Sequence, residues 1–148
     1  MIVLKPVSKE RIWGTPRLHQ YSGDSHIDRI GSVYSVSGIE ALSNEILAGD
    51  EHRTLYEAVK AAPEKFGITA GFDYPIIISF TSADENLSIQ VHPTDEYAIT
   101  HENALYGKSE SWYFIEPPSE GWIYADSLIE DKKEIKRSIL NGDYESVV

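Results

Sequence analysis

The chain has 148 residues, 41% of them hydrophobic and 25% charged, with a formal net charge of −11 and no cysteine. That length supports one domain burying roughly 68–70% of its unfolded surface, and the composition excludes wholesale disorder. The acidic balance argues against nucleic acid or an acidic membrane surface as a partner, and the absent cysteine excludes disulfides and thiolate-held metals.

The first stretch, "MIVLKPVSKERIWGTP", has no long apolar run after its basic residues, which argues against a signal peptide. No window approaches the roughly 20 apolar residues of a membrane span. A soluble cytoplasmic protein is the expectation. "MIVLKPV" reads as a short strand stopping at Pro6, and "ERIWGTPRLHQYSG" as a loop, with Gly14 and Pro16 beside an aromatic anchor, Trp13. "RIGSVYSVSG" alternates as a strand and ends at Gly38.

"TLYEAVKAAPEKFG" places Leu55, Ala58, Val59 and Ala62 at helical spacing. Thr54 with Glu57 three residues on is a capping-box pattern, Pro63 ends or bends the helix, and Gly67 closes the segment. "YPIIISF" is a continuous apolar run and predicts a buried strand, leading through "TSADEN" into a second strand, "LSIQVHP". In "TDEYAITHEN", Thr94 predicts the cap of a short helix with acids in its first turn. "GKSESWYFIEP" and "GWIYADS" read as a hairpin of strands. "IEDKKEIKRSILNGD" predicts a charged helix carrying Ile129, Ile135, Ile139 and Leu140 and closed by Gly142, before "YESVV" starts like a strand. The pattern, without internal repeat or linker, predicts a single domain over 1–148, mainly β with a few short helices.

Chemistry concentrates in the second half. Side chains alternate along a strand, so Ser88, Gln90 and His92 share one face, and Lys108 and Glu110 share a face of the next strand. An amide oxygen, an imidazole and a carboxylate suit a borderline cation such as Zn²⁺, with Zn–N near ~2.0–2.1 Å. The competing reading makes Gln90 and His92 hydrogen-bonded strand residues and pairs Glu110 with Lys108. His19, His26 and His52 lie in polar stretches and read as exposed; His101 follows the short helix, where a supporting role near the constellation is open. "SWYFIEPP" reads as packing rather than a sugar platform. The sequence holds no Gly-rich phosphate loop and no nucleophile elbow.

"LSIQVHPTDEYA" followed by "GKSESWYFIE" resembles the type I mannose-6-phosphate isomerases (phosphomannose isomerases) of the shorter bacterial kind. The resemblance extends to "ERIWGTPRL", similar to the family's "xxxWGGxxL", to "GSVYSVSG", similar to a "GExWxxS" strand, to "TLYEAV", and to "YPIIISF…LSIQVHP", similar to "FPLLxKxxxxxxxLSIQVHP". It covers essentially the whole chain. What it implies is a cupin-like jelly roll, incomplete at this length, that interconverts mannose 6-phosphate and fructose 6-phosphate with one bound zinc ion. The implied zinc ligands are Gln90, His92 and Glu110. Ser88 and Lys108 are implied beside the substrate, with Lys108 also in the catalytic machinery, and Trp13 matches a pocket tryptophan.

Family members run to about twice this length, and the later stretch with a fourth ligand and a downstream arginine is not in this sequence. The resemblance is therefore to an N-terminal portion. Ser79, Tyr34 and Ser32 stand where the family has Lys, Trp and Glu. A half-built jelly roll leaves strand edges uncovered, and self-association as a homo-oligomer is one remedy. The alternative function is a non-catalytic module that binds metal or a sugar phosphate; an Fe(II) oxygenase-type cupin needs two histidines in the motif, and only His92 is there.

Overall fold

A computed structural model describes every residue except Gly23 and Ser25; Gly23, at the end of the expected 10–23 loop, lies outside the described residues. The chain divides into two compact units, Met1–Gln90 and Val91–Val148. The described residues form small antiparallel sheets and four short helices.

The first unit carries all five strands. β1 (Val3–Lys5) pairs antiparallel with β4 (Glu45–Ala48), and β2 (Val7–Thr15), β3 (Ile30–Val36) and β5 (Ile78–Thr81) form a three-stranded sheet in the order β2-β3-β5. β3 is central, with Val33 opposite Ser8 on one side and Phe80 on the other. Its first four residues are all buried, and Ile30 and Val33 pack with Leu18 and with the partly buried Ile27 and Phe80. The Tyr21 ring stacks on Phe80 at 4.5 Å between centroids. The neighbouring helices are α1 (His19–Ser22) and α2 (Leu55–Ala61).

Local signals in this unit behave as expected. Pro6 separates β1 from β2. The Glu57 amide donates to Thr54 Oγ1 at 3.2 Å and the Thr54 amide to Glu57 Oε2 at 3.1 Å, so the capping box is closed in both directions. α2 buries Leu55, Ala58 and Val59. Pro63 begins a 3-10 turn, and Gly67 ends it with φ 69°, in the left-handed region where glycine is unstrained.

Two expectations here need correction. The stretch around Trp13 is strand to Thr15 rather than loop, because its partners come from β3 and the residue before it. The Arg11 amide donates to the Arg29 carbonyl, and Arg29 Nε donates to the Gly14 carbonyl at 3.0 Å. Gly14 serves close approach, not a turn: a Cβ there would stand 2.5 Å from the Arg29 carbonyl oxygen. "YPIIISF" supplies only Ile78 onward to β5, and Ile76, Ile77 and Ile78 are exposed, since β5 is an edge strand pairing with β3 alone.

The second unit carries α3 (Asp95–His101) and α4 (Lys132–Leu140). Thr94 caps α3, accepting from the Tyr97 amide at 3.3 Å, with Asp95 and Glu96 in the first turn; His101 is its last residue. α4 ends at Asn141 and Gly142, the latter with φ 73°. The strands expected at "LSIQVHP", "GKSESWYFIEP", "GWIYADS" and "YESVV" are not formed, and the described residues show no jelly roll. A strand is held by its ladder, and no strand of the described residues lies beyond Thr81 to supply one. Apolar side chains of these segments accordingly stand in solvent, Val91 at 89% and Tyr113 at 91% exposure among them. No helix of the described residues is long and apolar enough to cross a membrane.

Candidate functional site

Of the residues singled out in the sequence, the second unit brings three together. His92 Nε2 stands 3.4 Å from Glu110 Oε2, and Lys108 Nζ approaches the same oxygen to 2.7 Å. The other carboxylate oxygen accepts from the Trp112 indole N–H. Both oxygens of Glu110 are thereby engaged, which fixes the orientation of its carboxylate.

The backbone that presents these groups doubles back on itself. α3 runs from Asp95 to His101, and the chain then reverses through Asn103, whose φ of 52° is left-handed. The Ala104 amide donates to the Ala98 carbonyl at 3.2 Å, closing the helix end. The returning segment meets the start of the helix, where the Lys108 amide donates to the Pro93 carbonyl at 3.1 Å and the Gly107 amide to Asp95 Oδ1 at 2.8 Å. His92 and the 108–110 segment consequently lie side by side without any β-ladder. They border an open hollow of about 310 Å³ lined by His92, Pro93, Thr94, Asp95, Lys108 and Ser109.

The electrostatics follow from those contacts. The Lys108 ammonium, then the Trp112 indole, hold the Glu110 carboxyl below the usual carboxylate range; partial burial opposes them, and His92 adds a smaller lowering. Glu110 is an acceptor with a settled charge, beside a half-exposed ammonium and a half-buried imidazole. Such a group can hold a cation through N and O, or present Lys108 to an anionic oxygen.

One distance matches the edge of a tetrahedral cation site. Two ligands at ~2.0–2.1 Å from a tetrahedral zinc stand roughly 3.3–3.4 Å apart, and the His92–Glu110 separation is 3.4 Å. No group of three His, Cys, Asp or Glu side chains that could hold a metal occurs among the described residues. Lys108 occupies the oxygen that a cation would share.

The remaining sequence candidates belong to the first unit. Trp13 is buried at 5% exposure in β2, its ring over Gly31, while Ser88 and Gln90 are exposed in a segment without regular structure. Reading the sequence assigned Trp112 to packing and missed its bond to Glu110. The i, i+2 spacing from Glu110 was the available signal.

No family model matches the chain. It is 34% identical over 152 residues to the probable mannose-6-phosphate isomerase GmuF of Bacillus subtilis and 32% identical over 151 residues to the mannose-6-phosphate isomerase ManA of the same organism. Each match covers 99% of this chain and 47% of the relative, so the chain spans about half the length of the curated relatives it matches. A crystal structure of the mannose 6-phosphate isomerase from Bacillus subtilis superposes with a TM-score of 0.81 at 29% identity, again over 99% of this chain and 47% of that one. By sequence and by fold, the chain is a homologue of the type I mannose-6-phosphate isomerases, matching an N-terminal portion of them.

Proposed function

We propose that this chain is an isomerase domain acting on a sugar phosphate, in the interconversion of mannose 6-phosphate and fructose 6-phosphate, with one zinc ion bound. The observation that carries the reading is the His92–Glu110 edge with Lys108 beside it, in a chain similar along 99% of its length to mannose-6-phosphate isomerases.

His92 and Glu110 are the proposed zinc ligands in the second unit, and the sequence motif adds the Gln90 amide. When bound, zinc supplies Lewis-acid polarisation of the sugar's carbonyl and hydroxyl oxygens. Moving a carbonyl between adjacent carbons requires loss of a proton beside it and stabilisation of the enediolate that forms. The Lys108 ammonium is suited to that negative charge, and Ser88 and Trp13 are the proposed substrate contacts, a reading that the motif resemblance supports. The partner is a small sugar phosphate; a net charge of −11 disfavours nucleic acid and anionic membranes. The reading extends to a cytoplasmic location, to a cupin-like jelly roll in the longer relatives, and to donors from a second chain, as in a homo-oligomer.

The test is metal content by elemental mass spectrometry on the purified chain, run beside a coupled mannose 6-phosphate isomerase assay. One zinc per chain with turnover is the expected result. Zinc without turnover would replace this reading with a binding module. A metal-free chain that takes up no added zinc would return His92 and Glu110 to a surface ion-pair cluster.

A further inference from the structure

We infer that Asp95 and Gly107 are positioning residues that clasp the Lys108–Glu110 segment against His92. The inference rests on the functional reading above, in which His92 and Glu110 form a site, and it names what aligns them.

The segment from Gly107 to Glu110 has no ladder to hold it, so its place beside His92 depends on a few local contacts. Two are hydrogen bonds from consecutive amides: Gly107 to Asp95 Oδ1 at 2.8 Å and Lys108 to the Pro93 carbonyl at 3.1 Å. The third is steric. A Cβ at residue 107 would fall on the Pro93 carbonyl oxygen and stand 2.6 Å from the Thr94 carbonyl carbon and 2.9 Å from the Asp95 nitrogen. All three obstacles are backbone and cannot swing aside, so only glycine permits this approach. Asp95 is held in turn, as the first residue of α3 behind the Thr94 cap. Its carboxylate is the one side chain in the clasp. Neither residue touches the hydrogen-bonded oxygens of Glu110 itself; they act by placing the backbone two or three residues before it.

A metal-independent readout separates this inference from the function. In proton NMR of the full chain, a nuclear Overhauser contact between the His92 ring and the Glu110 side chain reports the alignment directly. The contact is expected in wild type and in Asp95→Asn, whose amide oxygen still accepts from Gly107, and lost in Asp95→Ala and Gly107→Ala with the α3 amide pattern intact. Wild-type intensity in both of the last two variants would overturn the clasp, as would its absence from wild type. Should Gly107→Ala fail to fold, Asp95→Ala, which only trims an exposed carboxylate, decides alone. Zinc titrated into the same samples should bind Asp95→Ala about 10- to 100-fold more weakly than wild type, the usual loss when a ligand's support is removed. Wild type that ignores zinc would sink the functional reading, while loss of the Overhauser contact in Asp95→Ala would still establish the clasp.

Discussion

Lys108 and Glu110 meet through Nζ and Oε2 at 2.7 Å, on the carboxylate oxygen that also faces His92. An ammonium there neutralises the charge that a cation would otherwise meet. Lys108→Ala is therefore expected to leave zinc affinity unchanged or tighten it by up to about five-fold, since half-exposed ion pairs are worth about 0.2–1 kcal/mol. Sugar-phosphate binding should weaken in the same variant. Competition titration against a chromophoric chelator reads the first effect, and a ten-fold loss of zinc affinity would show that Lys108 supports the site instead of competing for it.

His92→Ala removes the imidazole from the 3.4 Å donor edge. Of the proposed ligands the Gln90 amide, a weak donor, and the Glu110 carboxylate then remain, and the latter is already held by Lys108 and Trp112. Stoichiometric zinc binding should be abolished, with the far-ultraviolet circular dichroism unchanged. Retained zinc at one equivalent would take His92 out of the ligand set.

How much of this was legible depends on the reach of each signal. Thr54 with Glu57, and Thr94 before Asp95, are local motifs, and both caps form as the spacing implies. Gly14 reads locally as a turn signal, yet its role is set by Arg29, fifteen residues away. The alternation that sets Ser88, Gln90 and His92 on one face is sound as a pattern but leads to no strand, because a strand also needs a neighbour and the ladders of the described residues lie before Ser82. His92, Lys108 and Glu110 do meet, though not by strand pairing. The expected helix α3, a left-handed Asn103 and the bare backbone of Gly107 bring them together, and the last two have no periodicity to read.

The reciprocal bonds between Thr54 and Glu57 satisfy amides that the first turn of α2 leaves without helical partners. Thr54→Ala should destabilise the first unit by about 1 kcal/mol, within a range of roughly 0.5–2 kcal/mol, and Thr54→Ser should restore most of it. Urea unfolding followed by Trp13 fluorescence reads the change. No difference between the Ala and Ser variants would mean the cap contributes nothing measurable.

Asp50 accepts from the His52 amide at 3.0 Å and pairs with its Nδ1, and these two bonds hold the Asp50 carboxyl below its ordinary value. A depressed carboxylate contributes stability that is fully present above its unfolded-state pKa of about 3.9 and is lost as pH falls through the lower folded-state value. Wild type should therefore lose stability on acidification below about pH 4 more steeply than Asp50→Asn. Urea midpoints of the two chains, taken in half-unit steps from pH 6 to pH 3, should converge at the acid end. Parallel curves would remove Asp50 from the acid response.

Asn44 is fully buried, and its side chain serves three backbone groups at once. Its Oδ1 accepts from the Ser37 amide, while Nδ2 donates to the carbonyls of Lys5 and Tyr34, both at 2.9 Å. Lys5 ends β1 and Tyr34 lies in β3, so one amide ties the two sheets of the first unit together. Asn44→Ala takes this partner from the buried Ser37 amide and from two part-buried carbonyls, and each orphaned group costs about 1–3 kcal/mol when water cannot reach it. A loss of about 3 kcal/mol or more is expected in urea denaturation. Asn44→Asp keeps the shape and the acceptor but sets a carboxylate oxygen against two carbonyl oxygens, so at neutral pH it should be at least as damaging as the alanine. A penalty below about 1 kcal/mol in both variants would mean that water replaces the amide and that the sheets do not depend on it.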